Sequence, residues 1–221
     1  MIYTGKWLKS KITRLSKSDL ALLFGLILVG VSIACIFVVF YPVLKEEFRY
    51  NFEKRYVDPK VLLTNPSIKV PGYIVPVDTS FSVVIPKIGA NSKVVANVDP
   101  YNSNEYQVQL TKGVAHALGT SFPGMPGNTF LFAHSSGNIF EANKYNSIFY
   151  LLNKLEYGDE IFVAYFGELY TYKVHTIKVV EAADVEYLKD ENSDKSMLTL
   201  MTCWPAGTTL KRLIVQADVI N

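Results

Sequence analysis

A long uncharged segment near the start of the chain constrains its fold more than any other feature. Residues 20–44 contain no charged side chain, and residues 20–41 are almost wholly apolar. A helix rises about 1.5 Å per residue, so about 20 apolar residues cross the hydrocarbon core of a bilayer. The segment is too long for a cleaved secretory signal, whose apolar region has roughly 7–15 residues. We therefore expect residues 20–41 to form an uncleaved transmembrane anchor in the lipid bilayer.

Charge is distributed unevenly about this anchor. Residues 1–19 contain five basic residues and one acid, for a net charge of +4: Lys6, Lys9, Lys11, Arg14, Lys17 and Asp19. The positive-inside bias predicts that residues 1–19 are a cytoplasmic tail and that the chain after the anchor is extracytoplasmic. Because the whole chain carries +2, the remainder sums to −2, which argues against nucleic acid as a partner.

Two regions follow the anchor. We expect residues 42–80 to form an extracytoplasmic stalk. The charged stretch 43–56 could be a short helix, and four prolines between 58 and 80 favour extended chain. The part after residue 80 is rich in short apolar or alternating runs, which predict eight strands at 81–88, 93–98, 113–116, 129–134, 160–166, 169–180, 197–203 and 212–219. Gly167-Glu168 predicts a two-residue hairpin loop, and only 140–153 has helical spacing. Eight short strands with little helix predict a mainly all-β domain at 81–221, a closed or nearly closed barrel.

A cysteine near the end of the chain is the first candidate for chemistry. The chain has two cysteines, and Cys35 lies in the predicted anchor, so Cys203 would be a lone extracytoplasmic thiol. Cys203 ends one predicted strand and Arg212 begins the next. If those strands pair antiparallel, about 4.8 Å apart, the two side chains share one site. Positive charge stabilises a thiolate nucleophile, and a guanidinium can donate to an oxyanion.

The chain has three histidines that could act with this thiol. His134 ends an apolar strand and opens a polar loop, which is where a catalytic acid or base is expected. His116 could be either a packed histidine or a neighbour of the site. His175 lies on the polar face of its strand and is interpreted as a surface residue. One cysteine and one or two histidines do not predict a zinc site, which usually needs three or four protein ligands.

These residues together resemble the sortases, membrane-anchored cysteine transpeptidases of bacterial cell envelopes. Thr199-Leu200-Met201-Thr202-Cys203 matches the TLxTC motif of that family, and Arg212 follows at the expected separation. The resemblance covers roughly residues 81–219 and includes Ile85-Pro86-Lys87-Ile88 and His134. An alanine precedes His134 where many members have glycine.

The resemblance implies an eight-stranded sortase-like barrel with one or two short helices, preceded by the transmembrane helix and tethered to the bacterial plasma membrane. It implies that Cys203 cleaves an LPxTG-like sorting signal at the C-terminus of secreted proteins through a thioester. His134 would transfer protons, and Arg212 would hold the substrate and the oxyanion. Thr202 and His116 are further candidates for oxyanion stabilisation or substrate binding. An amine of peptidoglycan or of a pilin would be the acceptor.

No cofactor is expected from this chemistry. Calcium could bind the acidic stretch 184–194, as it binds loop carboxylates in some relatives, but a solvated charged loop is the favoured interpretation. Two other functions remain open. Water rather than an amine could resolve the acyl-enzyme, which would make the chain a membrane-tethered thiol peptidase. Alternatively, the barrel could bind peptide or glycan without catalysis.

Overall fold

The computed structural model describes residues 17–53, 60–64, 67, 73–135, 148–188 and 194–221. The chain divides into two compact units, Met1–Tyr41 and Pro42–Asn221. The long helix α1, Lys17–Glu53, runs through the end of the first unit and into the second. Within the described residues, one helical segment, Ser18–Val38, is long and apolar enough to cross a membrane. Its apolar side chains are exposed, which is compatible with a helix that spans a bilayer.

The first residues of the predicted stalk belong to this helix. In the second unit, the end of α1 packs on the barrel: Tyr50 contacts the apolar core, and Glu47 forms a 3.2 Å ion pair with Lys154. Farther along, two short strands, β1 (Lys60–Val61) and β2 (Tyr73–Ile74), pair in parallel. The segment before the barrel therefore begins as a helix, as was considered for 43–56, and its later part contains one pair of short strands.

The second unit is a closed barrel of eight strands, as predicted. The strands are β3 Phe81–Ile85, β4 Ala90–Val98, β5 Val114–Ala117, β6 Gly127–Phe132, β7 Glu160–Tyr165, β8 Glu168–Glu181, β9 Ser196–Trp204 and β10 Lys211–Val219. Their order around the barrel is β10-β8-β7-β3-β4-β5-β6-β9. All eight coincide with the predicted runs to within a few residues, because each is either a short buried run, as in β3, β5 and β6, or alternates between buried and more exposed positions.

Three local features differ from expectation. Helix α2, Ser103–Leu110, was missed, although Asn102 caps it by accepting a hydrogen bond from the Glu105 N–H. Of the predicted helix at 140–153, the first eight positions lie outside the described residues, and the rest form a turn that leads into the 3-10 helix Leu152–Lys154. A second 3-10 helix, Pro86–Ile88, ends the predicted first strand early, and a third, Glu186–Leu188, precedes β9.

The predicted hairpin turn lies one residue earlier than expected. Tyr165 pairs with Glu168, so Phe166 and Gly167 are the two loop residues. Both have positive φ, 47° and 81°. Positive φ at both central residues is the pattern of a type I′ turn. The predicted Gly-X loop was a type II′ turn, which needs positive φ only at its first central residue, Gly167.

Apolar side chains form two clusters on opposite faces of the sheet. The larger cluster fills the barrel interior and takes residues from every strand, including Leu131, Leu198, Leu200, Leu213 and Val215. The smaller cluster lies on the outer face of β4, β5 and β6, under helix α2, and includes Ala115, Ala117, Phe130 and Phe132. These two clusters define, for each strand, which residues point inward and which point outward.

Candidate active site

Cys203 and Arg212 are cross-strand neighbours. Strands β9 and β10 pair antiparallel, and Arg212 is the direct register partner of Cys203. Directly opposed residues of an antiparallel pair have Cα atoms about 4.5–5.5 Å apart. The antiparallel pairing on which a shared site depends is therefore present, and Trp204 ends β9 immediately before Pro205.

His134 follows strand β6, which is the second neighbour of β9 in the barrel. Strands β6 and β9 pair in parallel up to Phe132 and Met201, and the Ala133 N–H continues the ladder by donating to the Met201 carbonyl at 3.2 Å. Extrapolating this register two positions beyond Phe132 gives His134 the level of Cys203. Three adjacent strands thus bring an imidazole, a thiol and a guanidinium into one row.

All three residues of this row belong to the outer face of the barrel. Along β9, Leu198 and Leu200 point inward, so Met201 and Cys203 point outward by alternation. Along β10, Leu213 and Val215 point inward, which leaves Arg212 on the outer side. His134 follows Phe132 on the outer side by the same rule. Each of the three is half-buried and therefore accessible to a substrate.

The guanidinium of Arg212 also contacts the loop at 205–210 that joins β9 to β10. Its Nη1 donates to the carbonyl oxygens of Thr209 and Lys211, at 3.1 and 3.0 Å. A guanidinium carries five N–H donors, so contacts with two carbonyls through one nitrogen leave other donors for a ligand. Arg212 can therefore hold this loop and still interact with a substrate or an oxyanion.

Thr202 lies on the other face from Cys203. Its side chain is 2% exposed, and its hydroxyl donates to the carbonyl of Ala133 at 2.9 Å. A hydroxyl used in this way is not directed at the outer face, where an oxyanion on a substrate of Cys203 would form. The structure therefore favours a contact between strands over the oxyanion role considered for this side chain.

His116 likewise points away from the row. It lies between Ala115 and Ala117, which face outward, and its fully buried ring stacks on Phe122 with centroids 4.6 Å apart. Both ring nitrogens are occupied: Nδ1 accepts from the Asn97 N–H at 3.3 Å, and Nε2 lies 3.1 Å from the Ser121 carbonyl. Burial lowers the pKa of His116, an effect that the Ser121 carbonyl only partly offsets. We therefore assign His116 to the packed interior rather than to a substrate site.

The remaining candidates lie elsewhere. His175 is at the surface, with Nε2 3.4 Å from a carboxylate oxygen of Asp218. The stretch 184–194 that was considered for calcium falls partly outside the described residues. Among the described residues, no three His, Cys, Asp or Glu side chains are grouped so that they could hold a metal ion.

One residue that organises the outer face was missed in the sequence. Asn128, on β6, is 1% exposed; its Oδ1 accepts from the Thr199 hydroxyl at 2.8 Å, and its Nδ2 donates to the Tyr187 carbonyl at 2.9 Å. It thereby ties the 3-10 helix Glu186–Leu188 to the barrel. The available signal was an asparagine at the start of an apolar run, a residue type that is depleted in strands.

Comparison with protein families gives a match over most of the second unit. Residues 83–220 match the family model described as the sortase domain. Among curated proteins, Sortase D of Bacillus subtilis (strain 168) is 28% identical over 135 residues, which cover 59% of this chain and 59% of the relative. The chain thus matches less than two thirds of the length of that relative.

Several solved structures of sortases resemble the fold of this chain. Sortase A from Corynebacterium diphtheriae, a lid mutant, aligns with a TM-score of 0.55 and 27% identity over 65% of this chain and 71% of its own. Sortase C1 from Streptococcus suis aligns with a TM-score of 0.54 and 30% identity over 63% and 72%. Sortase C-1 from Actinomyces oris aligns with a TM-score of 0.55 and 25% identity over 81% and 85%.

Proposed function

The chain belongs to the sortase family, and from this premise we propose that it is a membrane-anchored cysteine transpeptidase that acts on C-terminal sorting signals of secreted proteins. The observation that carries the proposal is the row of His134, Cys203 and Arg212 on one face of three adjacent strands. Thiol, imidazole and guanidinium are the groups that acyl transfer requires: a nucleophile, a proton carrier and a donor for the oxyanion.

In the first half-reaction, the thiolate of Cys203 attacks the carbonyl carbon of the Thr–Gly bond in an LPxTG-like signal. A C–S bond forms, and the carbonyl oxygen takes the negative charge, which Arg212 stabilises with its N–H donors. When the tetrahedral intermediate collapses, the C–N bond breaks and protonated His134 gives its proton to the departing amine. The product is a thioester between the substrate and Cys203.

In the second half-reaction, an amine of peptidoglycan or of a pilin attacks the thioester. His134, now neutral, accepts a proton from the attacking amine, and the C–S bond breaks to return the thiolate. A new amide bond joins the secreted protein to its acceptor. Because both substrates pass through one nucleophile in turn, the kinetics are ping-pong.

We further propose that the enzyme is held in the bacterial plasma membrane by a single span, with residues 1–19 in the cytoplasm and the barrel outside. The apolar segment Ser18–Val38 supports the span, and the basic residues before it support the orientation. The chemistry proposed for the three side chains requires no metal or other cofactor.

Peptide cleavage by the full chain in detergent tests this function. We expect an internally quenched LPxTG-type peptide to be cut between Thr and Gly, and hydroxylamine to capture the acyl group as a hydroxamate. The acyl-enzyme should appear as a mass increase on the tryptic peptide that contains Cys203. Cleavage with water as the only acceptor, in the presence of excess amine, would indicate a thiol peptidase. Binding without cleavage, unaffected by Cys203→Ala, would indicate a binding barrel.

A further inference from the structure

The contact between β6 and β9 determines how His134 lies relative to Cys203. Register pairing between these parallel strands ends at Phe132 and Met201, and the Ala133 N–H makes one more main-chain bond, to the Met201 carbonyl. His134 and Cys203 both come after this point. Any contact between the two strands beyond Met201 therefore bears directly on their separation.

Such a contact is present one residue before each of the two. The Thr202 hydroxyl donates to the Ala133 carbonyl at 2.9 Å. Thr202 is 2% and Ala133 7% exposed, so water cannot readily compete for this bond. Threonine is also stiff at χ1, which holds its hydroxyl in a fixed direction. The bond thus links the Thr202 side chain to the backbone at Ala133. These two residues immediately precede Cys203 and His134.

We propose that Thr202 is a positioning residue that aligns His134 with Cys203 through the Ala133 carbonyl. The proposal rests on the proposed function of the row, and it differs from an oxyanion role because Thr202 acts from the opposite face and does not touch substrate. Proton transfer between imidazole and the reacting groups depends on separations near 3 Å, and a misplacement of about 1 Å costs about 100-fold in rate.

The same pair of strands contains a matched control. The Thr199 hydroxyl donates to Oδ1 of Asn128 at 2.8 Å, and these residues are 0% and 1% exposed. Thr199 and Thr202 therefore each make one buried hydrogen bond from β9, to β6 itself and to the residue that follows β6, respectively. Thr199 lies four positions before Cys203, and its bond reaches a residue six positions before His134. Thr199→Val removes a comparable bond away from the row.

The first test compares steady-state cleavage of the LPxTG-type peptide by full-length variants in detergent. We expect Thr202→Val, which keeps the shape and removes the hydroxyl, to lower kcat by about 10- to 100-fold and leave KM within about threefold. Thr202→Ser retains the hydroxyl and should recover most of kcat. Thr199→Val should keep kcat within about threefold, even if thermal unfolding shows a similar loss of stability for both valine variants. Equal kcat values for the two valine variants would overturn the proposal.

A second test needs no peptide substrate. Iodoacetamide alkylates the thiol of Cys203 without forming an oxyanion, and mass spectrometry of the tryptic peptide separates this reaction from that of Cys35. Since a neighbouring imidazole activates a thiol, we expect Thr202→Val to slow alkylation at least about threefold and Thr199→Val to leave it unchanged. An unchanged rate in Thr202→Val would overturn the positioning role. If the wild-type chain cleaves no sorting peptide, the proposed function fails while this comparison still decides the role of Thr202.

Discussion

Two histidines on adjacent strands show how differently the barrel treats the same side chain. His116, on β5, is register partner to Leu131 and lies in the interior with both ring nitrogens bonded and its ring stacked on Phe122. His134 follows the end of β6, on the outer face, in the row with Cys203 and Arg212. One imidazole is enclosed by protein groups, and the other is half-buried and accessible.

The difference follows from strand face and from distance to the strand end. Side chains alternate across a strand, so a shift of one position moves a residue from the outer face to the interior. Burial disfavours a charged imidazole, which suits His116 to a neutral structural role and makes it a poor carrier of protons. A strand end on the outer face leaves His134 room for a substrate.

The largest effect is expected at the nucleophile. Cys203→Ala removes the only group proposed to form the thioester, so peptide cleavage should fall by at least about 10⁴-fold. No acyl-enzyme should be detected by mass spectrometry. Cys35→Ala, at the other cysteine, is the control and should cleave at the wild-type rate. Substantial cleavage by Cys203→Ala would show that the row of His134, Cys203 and Arg212 is not the catalytic site.

The same substitution at each histidine compares the two directly. His134→Gln should lower kcat about 10²- to 10⁴-fold, because an amide cannot transfer the proton. His116→Gln should leave kcat per folded molecule within a few-fold but lower the free energy of unfolding by about 1–3 kcal/mol, since buried partners lose their hydrogen bonds. Peptide cleavage and chemical denaturation provide the two measurements. Greater loss of kcat at His116 than at His134 would reverse the roles assigned to the two histidines.

A smaller effect is expected at the guanidinium. Arg212→Lys preserves the charge but loses the planar set of donors, so kcat/KM should fall roughly 10- to 100-fold. Lys211→Arg is the matched control, because Lys211 is exposed and pairs with Glu181 at 3.0 Å, an ion pair that arginine can also make. It should stay within about twofold of the wild type. Similar losses at both positions would indicate a general effect on the β9–β10 loop.

The smallest effect is expected in the pH dependence of stability, through the buried imidazole of His116. The pKa of His116 is lowered by burial from its ordinary value of 6.5. Between the lowered pKa and 6.5, the unfolded chain binds a proton that the folded chain does not, so stability rises with pH through this window and is complete above it. Thermal unfolding should therefore show a loss of stability on acidification below pH 6.5, and this loss should be reduced in His116→Gln. An equal pH dependence in both proteins would contradict a buried neutral His116.

Much of the architecture could be predicted because each element has a local signal. The eight strands are short apolar or alternating runs, and a long uncharged run predicts the membrane anchor. The two faces of β9 could also be assigned, which already separated Thr202 from Cys203. Helix α2 was harder, since its eight residues present little apolar surface and only the Asn102 cap marks its start. The hairpin at Phe166 was displaced because phenylalanine rarely adopts positive φ.

By itself, the amino-acid sequence determined the kind of chain this is: an apolar anchor, a mainly β domain, and a thiol, an imidazole and a guanidinium in a motif that resembles the sortases. Local alternation and hydropathy are enough for that, because they depend on neighbouring residues. The sequence also nominated His134 as the partner of Cys203, but only the tertiary structure decided how the two residues lie relative to each other and what Thr202 contacts. Those answers depend on the register between β6 and β9, strands separated by more than sixty residues, and register is set by packing of the whole barrel rather than by either strand alone.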